Sequence, residues 1–294
     1  MSGAAALNAH LAGGVTHTCH AWGITRRDGL RFGFTDHDRP LAFEGFEFRA
    51  DTGLSAGALA QATGLAVDNT EAIGALSDGG IREDEIEQGR FDGAEVVAWL
   101  VNWDAPEERQ VQFRGTVGEL RRADGMFRAE LRGLTEALNR PLGRVYQKPC
   151  TAVLGDRDCG VDLDAPAFRI ELEVQGVAEA QHFTWPALAG FAAGWFEQGR
   201  LDVLEGPAAG LWSMIRRDRI DGGQRVIDLW EPVRGPVWPG TRVRLTAGCD
   251  KRHETCRAKF DNLLNFRGFP DLPGGDWVMA VPKANAPNTG GSRR

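Results

Sequence analysis

Residues 211–233 read LWSMIRRDRIDGGQRVIDLWEPV, two strand-patterned runs on either side of Asp221-Gly222-Gly223. An Asp-Gly turn between such runs is a strong short-range signal for a hairpin, because glycine supplies the positive φ angles that tight hairpin turns require. The pattern spreads outward from there. On the C-terminal side RVRLTAG (242–248) is strand-like, and on the N-terminal side so are FRIELEVQGV (168–177) and WFEQGRLDVLEG (195–206).

The first half of the chain repeats the theme. Along THTCHAWGITR, Cys19, Ala21 and Gly23 share one face, and a turn at Arg27-Asp28-Gly29 leads into LRFGFTDHD. LAFEGFEFRA (41–50) turns at Glu44-Gly45. Strands are expected at 94–103, 110–122 and 126–134, the last two joined at Asp124-Gly125. Helices are few and short. One spans 2–12, with Ser2 as N-cap and Leu7 and Leu11 on one face. Others are expected at 80–91 around Ile81 and Ile86, at 135–139 capped by Thr135, and at 251–266. On the last, Cys256, Phe260, Leu263 and Leu264 fall on one face.

The expected fold is therefore mainly β with a few short helices: two small β-barrel or sandwich domains joined by a metal-stapled segment. The divisions are 1–140, a β-rich N-terminal domain; 141–165 with 246–281, a cysteine-bearing region; 166–245, an inserted β-domain; and 282–294, a polar tail. A length of 294 residues suits two domains better than one.

Composition excludes some function classes. No apolar run is long enough to cross a membrane as a helix, and the N-terminus lacks the basic start of a signal peptide, so cytosolic synthesis is expected. A net charge of −7 argues against a surface that grips nucleic acid. It leaves open a conduit along which DNA slides without sticking. In a chain without an export signal, five cysteines point to metal or plain burial rather than disulfides.

Four of these cysteines form two pairs, Cys150-x8-Cys159 and Cys249-x6-Cys256. Neither has the narrow gap of zinc fingers and ribbons, whereas iron–sulfur ligands tolerate wider spacing. Lys148 and Arg157 flank the first pair, and Lys251, Arg252, Arg257 and Lys259 flank the second, which suits an anionic centre. The paired layout, this charge and the adjacent Gly160 and Gly248 favour one metal site over four unrelated buried thiols. A zinc staple and a redox or hydrolytic enzyme remain alternatives.

Other candidates are weaker. His17, Cys19 and His20 cannot easily converge from one strand. Asp36-His37-Asp38 could serve acid–base chemistry, but it reads more simply as a bracket around the turn before Pro40. Glu83-Asp84-Glu85 reads as a solvated helix face, and Trp99 and Trp103 as core. There is no G-x-S-x-G, P-loop or HExxH motif.

The runs GCDKRHETCRAKFDNLLNFRGFPDLPG (248–274) and CTAVLGDRDCGVDL (150–163) resemble the C-terminal part of baseplate hub proteins of siphophages and α-proteobacterial gene transfer agents. AWGITRRDGLRFGFTDHDRPLAF and LAVDNTEAIGAL resemble the same family, so the likeness spans nearly the whole chain. The two cysteine spacings are also similar to those of the minor tail protein L of lambdoid phages, which implies an iron–sulfur cluster, expected as [4Fe–4S], on Cys150, Cys159, Cys249 and Cys256. Here 89 residues separate Cys159 from Cys249, more than in that relative, so a whole β-domain would be inserted between the pairs.

The resemblance implies a structural, non-enzymatic homotrimer in the tail baseplate of a virion-like particle, assembled in the bacterial cytoplasm. It would adapt the sixfold distal tail protein ring to a threefold tip-fibre protein. DNA would pass through its channel, and the tip would reach the host envelope without membrane insertion.

Overall fold

The computed structural model describes residues 3–50, 55–56, 69–75, 81–123, 126–133, 143 and 145–272. The chain divides into two units, Met1–Pro141 and Leu142–Arg294. It is mainly β, with three α-helices among the described residues. The expected turn at 124–125, the helix at 135–139, the cap at Ser2 and the tail at 282–294 lie outside the described residues.

In the first unit, α1 (Gly3–Ala12) precedes β1 (Thr18–Thr25), β2 (Arg31–Thr35), β3 (Leu41–Phe43), β4 (Phe46–Arg49), β5 (Ser55–Ala56) and β6 (Asn69–Ala75). After α2 (Glu83–Glu87) come β7 (Glu95–Asn102), β8 (Arg109–Ala123) and β9 (Met126–Gly133). These strands make one sheet in the order β3-β4-β2-β1-β7-β8-β9-β6-β5. Glu44 and Gly45 both take positive φ, 50° and 76°, and so close the β3–β4 hairpin in two residues. The parallel pairing of β4 on β2 is a non-local contact that no local turn announces.

β1 and β7 are central and buried on both faces. Trp22, Ile24, Val96 and Ala98 join one core with Phe34, Phe91 and Phe113. Cys19, Ala21, Val97, Trp99 and Val101 join another with Leu41 and Phe48. Two expectations shift. Leu7 of α1 is buried but Leu11 is exposed. Glu85, expected on a solvated face, instead accepts Arg26 Nη1 at 2.7 Å; that guanidinium is buried and also pairs with Asp28. A buried guanidinium requires its counter-charge.

The second unit contains β10 (Arg169–Glu173), β11 (Gly176–Ala178), β12 (His182–Pro186), β13 (Arg200–Val203), β14 (Trp212–Asp221), β15 (Gln224–Leu229) and β16 (Arg242–Thr246), followed by α3 (His253–Phe260). Its sheet runs β10-β16-β13-β14-β15-β12-β11. The Asp221–Gln224 hairpin forms as read, with Gly222 and Gly223 at φ 54° and 81°.

A bulge between Ile215 and Arg217 bends β14 and inverts its alternation. Ser213 and Ile215 point inward before it, and Asp218 points inward after it. Asp218 thereby meets Arg225 of β15, and neither side chain reaches solvent. Arg225 Nε donates to Asp218 Oδ1 at 2.8 Å, and its other nitrogens donate to the Phe191 and Ala192 carbonyls at 2.9 and 2.8 Å. Asp218 Oδ2 also accepts the Phe196 N–H at 2.8 Å. The loop before β13 therefore hangs on this ion pair. That is why the strand expected at 195–206 shrinks to Arg200–Val203.

Removing one partner of such a pair strands a buried charge. Asp218→Ala is expected to lower the stability of this unit by about 3–5 kcal/mol in denaturant titration, and Asp218→Leu with Arg225→Met to recover much of it.

Candidate metal centre

The four paired cysteines all lie in the second unit. The segment 145–168 that carries the first pair consists of turns rather than helix or strand. Its backbone is organised by side chains. Asp156 accepts the Val153 N–H at 2.8 Å and the Cys159 N–H at 2.7 Å, and its carbonyl accepts the Gly160 N–H at 2.7 Å. The Cys159 and Val153 N–H groups hold the Asp156 carboxyl below the usual carboxylate range. Gly160 supplies a φ of 68° where the chain turns away from Cys159.

The second pair follows β16. Gly248 lets the chain cross residues 197–199: a Cβ there would sit 1.8 Å from the Glu197 carbonyl oxygen. Cys249 comes next, and Cys256 lies on the buried side of α3 beside Phe260. The helix expected over 251–266 stops at Asp261, which takes a left-handed φ of 46°, and a 3-10 turn occupies Leu263–Asn265. Leu263 and Leu264 therefore leave the face shared with Cys256; Leu264 is 97% exposed. The Cys150 N–H donates to the Lys251 carbonyl at 2.9 Å, which ties the two segments together.

Cys150, Cys159, Cys249 and Cys256 line one cavity with Ala152, Leu154, Val161, Phe260 and Phe266. Three of the sulfurs face N–H donors. Arg267 N–H reaches Cys150 Sγ at 3.4 Å, Lys251 N–H reaches Cys249 Sγ at 3.4 Å, and Asn262 Nδ2 reaches Cys159 Sγ at 3.7 Å. The fourth, Cys256 Sγ, donates to the Asn262 carbonyl at 3.3 Å. Burial and then the other three cysteines push the Cys256 thiol up to about 11. Burial also raises Cys249, against the Lys251 N–H. The pocket thus resists thiolate charge on its own while offering donors to receive it. A metal core, were one bound, would remove that conflict by stabilising the thiolates.

Among the described residues, no three or more His, Cys, Asp or Glu side chains are grouped closely enough for a single metal ion. Four thiols around one cavity are a donor set that suits a four-thiolate centre. On donor set, burial and N–H contacts, these residues fit an iron–sulfur group.

The family model described as baseplate hub protein, N-terminal attachment domain, matches residues 4–162. The chain belongs to the baseplate hub protein family. A second model, for a family of phage conserved hypothetical proteins, matches residues 194–276. The first match contains Cys150 and Cys159 and the second contains Cys249 and Cys256. The hub protein is also similar to a chain in the virion of a native gene transfer agent particle. The two are 50% identical with a TM-score of 0.90, over 97% of this chain and 98% of that one. No curated protein matches. The hub protein is thus a structural part of a baseplate, not an enzyme.

The other sequence candidates disperse. Cys19 is packed in an apolar core, where burial pushes its thiol up to about 11. Trp99 packs in the same core, and Trp103 stacks between His17 and His37 with ring centroids 4.8 and 5.0 Å away. Of Asp36-His37-Asp38, Asp36 turns away to accept His20 Nδ1 at 2.9 Å, while His37 accepts the Arg39 N–H within the turn and its Nε2 lies 3.3 Å from Asp38 Oδ1. The residues that sequence reasoning missed are Asp156 and Asn262. Asp156, three residues before Cys159, carries a turn-former's signature that could have revealed it.

Asp156→Ala is expected to free the loop around Cys159 and raise its labelling rate by a thiol reagent, with Asp156→Asn milder. The His20–Asp36 pair has its own pH signature. The Asp36 hydrogen bond raises His20 above 6.5. Burial works to raise Asp36, but the His20 contacts outweigh it and leave the carboxyl below 3.8. Their stabilisation is present between these limits. It fades as pH falls through the Asp36 value, or rises through that of His20. Both groups are about half exposed, so the loss should stay below about 1 kcal/mol. Comparing urea midpoints at pH 5 and 8, with Asp36→Asn as the flat control, measures it.

Proposed function

We propose that the hub protein works as a homotrimer in the tail baseplate of a gene transfer agent particle. There it adapts a sixfold ring of distal tail protein to a threefold tip-fibre protein. In this reading Cys150, Cys159, Cys249 and Cys256 hold an iron–sulfur cluster, expected as [4Fe–4S], as a structural staple. The module is 141–165 with 246–281, into which the β-domain 166–245 is inserted.

The observation that carries the staple is that four cysteines from two sequence-distant segments line one cavity, three of them facing N–H donors. When bound, the cluster supplies metal–thiolate cross-links between those segments. The chain's own residues orient them: Asp156 sets Cys159, Lys251 ties Cys150 to Cys249, and Asn262 bridges Cys159 and Cys256. Membership of the hub family and 50% identity to a particle-resident chain support the setting. Two β-rich units per subunit would give a trimer six β-rich units, a basis for matching a sixfold ring. A net charge of −7 suits a wall that DNA passes rather than grips.

Anaerobically purified protein is expected to carry iron and acid-labile sulfide in near-equal amounts, with visible absorption at about 400 nm. Stoichiometric zinc without iron overturns the cluster. Serine at any one of the four positions should release metal and lower thermal stability, whereas Cys19→Ser retains the metal. Sedimentation of the loaded protein should give a trimer at micromolar concentration; a persistent monomer counts against the adapter role.

A further inference from the structure

Two lysines beside the cysteines are held by neutral groups alone. Lys251 Nζ donates to the Ala152 carbonyl at 2.6 Å, inside the stretch between Cys150 and Cys159. Lys259 Nζ donates to the carbonyls of Trp195 at 2.5 Å and Gly248 at 2.7 Å, the latter directly before Cys249. It also lies over the rings of Trp195 and Phe260, at 4.7 and 5.3 Å. Both lysines are only partly accessible.

Among the described residues neither lysine forms an ion pair with a carboxylate. This is unlike the arginines nearby in the unit: Arg225 has Asp218, Arg219 has Asp228, Arg244 has Glu171 and Arg252 faces Asp250. Asp156 acts on Lys251, and Asp218 and Asp250 act on Lys259, through space without an ion-pair contact. Asp156 is taken up by the backbone of its own loop, and Asp250 by Thr255 Oγ1 and the Arg252 N–H. Carbonyls and rings hold an ammonium in place but do not neutralise it, and a desolvated, unneutralised cation is destabilising.

A negative charge nearer to both ammonium groups could come from the cysteine site, which acts on Lys251 and Lys259 through Cys249. Four thiolates outweigh the doubly positive core of either a [4Fe–4S] cluster or a zinc ion, so the loaded centre is a dianion. Two ammonium groups match it. With four neutral thiols instead, the two ammonium groups are left with only the through-space attraction of Asp156, Asp218 and Asp250.

We propose that Lys251 and Lys259 are counter-cations built into the cysteine site, placed to offset the charge of a dianionic four-thiolate centre. This rests on the staple reading above. The lysines are positioning residues: they hold charge beside the centre and do not ligate it. Arg157 and Arg257, by contrast, are exposed on the surface, where solvent screens them.

Lys251→Met and Lys259→Met, made singly in the full-length chain, keep the length of the side chain and remove the charge. Each is expected to speed loss of metal to a chelator by about 10-fold, as for other outer-shell partners of metal sites. If the centre is a cluster, each should also move its reduction potential to more negative values. The decisive comparison is of sign. In the loaded protein Lys259→Met should lower the melting temperature; in metal-free protein it should leave it unchanged or raise it. Equal destabilisation of both forms, or unaltered metal release and potential, overturns the counter-cation role and leaves only a carbonyl tether. Wild-type protein that binds neither iron nor zinc overturns the staple itself, and the counter-charge with it.

Discussion

The second unit is organised around the fully buried pair of Arg225 and Asp218. Burying both charges is tolerable only because every polar atom finds a partner: two carboxylate contacts, two loop carbonyls and a backbone N–H. The pair exists because one extra residue in β14 turns Asp218 inward. Without that bulge the inward position would fall to a neighbour and the guanidinium would lack its counter-charge.

From this pair a line of contacts runs to the cysteines. Arg225 fixes Phe191 and Ala192, and Asp218 fixes Phe196. Between them Trp195 is placed so that its carbonyl takes the Lys259 ammonium and accepts the Gly248 N–H at 3.2 Å. Residues 197–199 then cross Gly248 at a distance that excludes any Cβ. Cys249 follows that crossing directly. The position of the second cysteine pair is therefore inherited from the β-sheet core, while the first pair depends on a loop folded by Asp156.

This division explains what could be read from the sequence. Local, periodic features were legible: the hairpins at Glu44-Gly45 and Gly222-Gly223, the alternation in β1 and β7, and the pairing of cysteines by spacing. Features set by distant contacts were not. The strand at 195–206 is cut short by a guanidinium on β15, and Glu85 leaves solvent because Arg26 is buried beneath it. The helix over 251–266 ends early because Asp261 adopts a left-handed conformation, which apolar periodicity cannot register. That β4 pairs with β2 in parallel is a non-local contact that no turn signal announces.

The first cysteine segment also shows why a staple is physically reasonable. Between residues 145 and 165 there is no helix or strand, and Ala152 and Val161 are its only buried apolar side chains, with Leu154, Cys159 and Leu163 partly buried. Fixing a backbone costs roughly 1–2 kcal/mol per residue, while burial returns about 25 cal/mol per Å² of apolar surface. So small an apolar surface contributes little against the ordering of such a stretch. The few capping bonds from Asp156, Asn262 and Lys251 contribute about 1 kcal/mol each at best. Metal–thiolate bonds are strong enough to make up the difference, because a site absent from the unfolded chain turns its binding free energy into folding free energy. The proposed staple would place that bond where the buried apolar surface is thinnest.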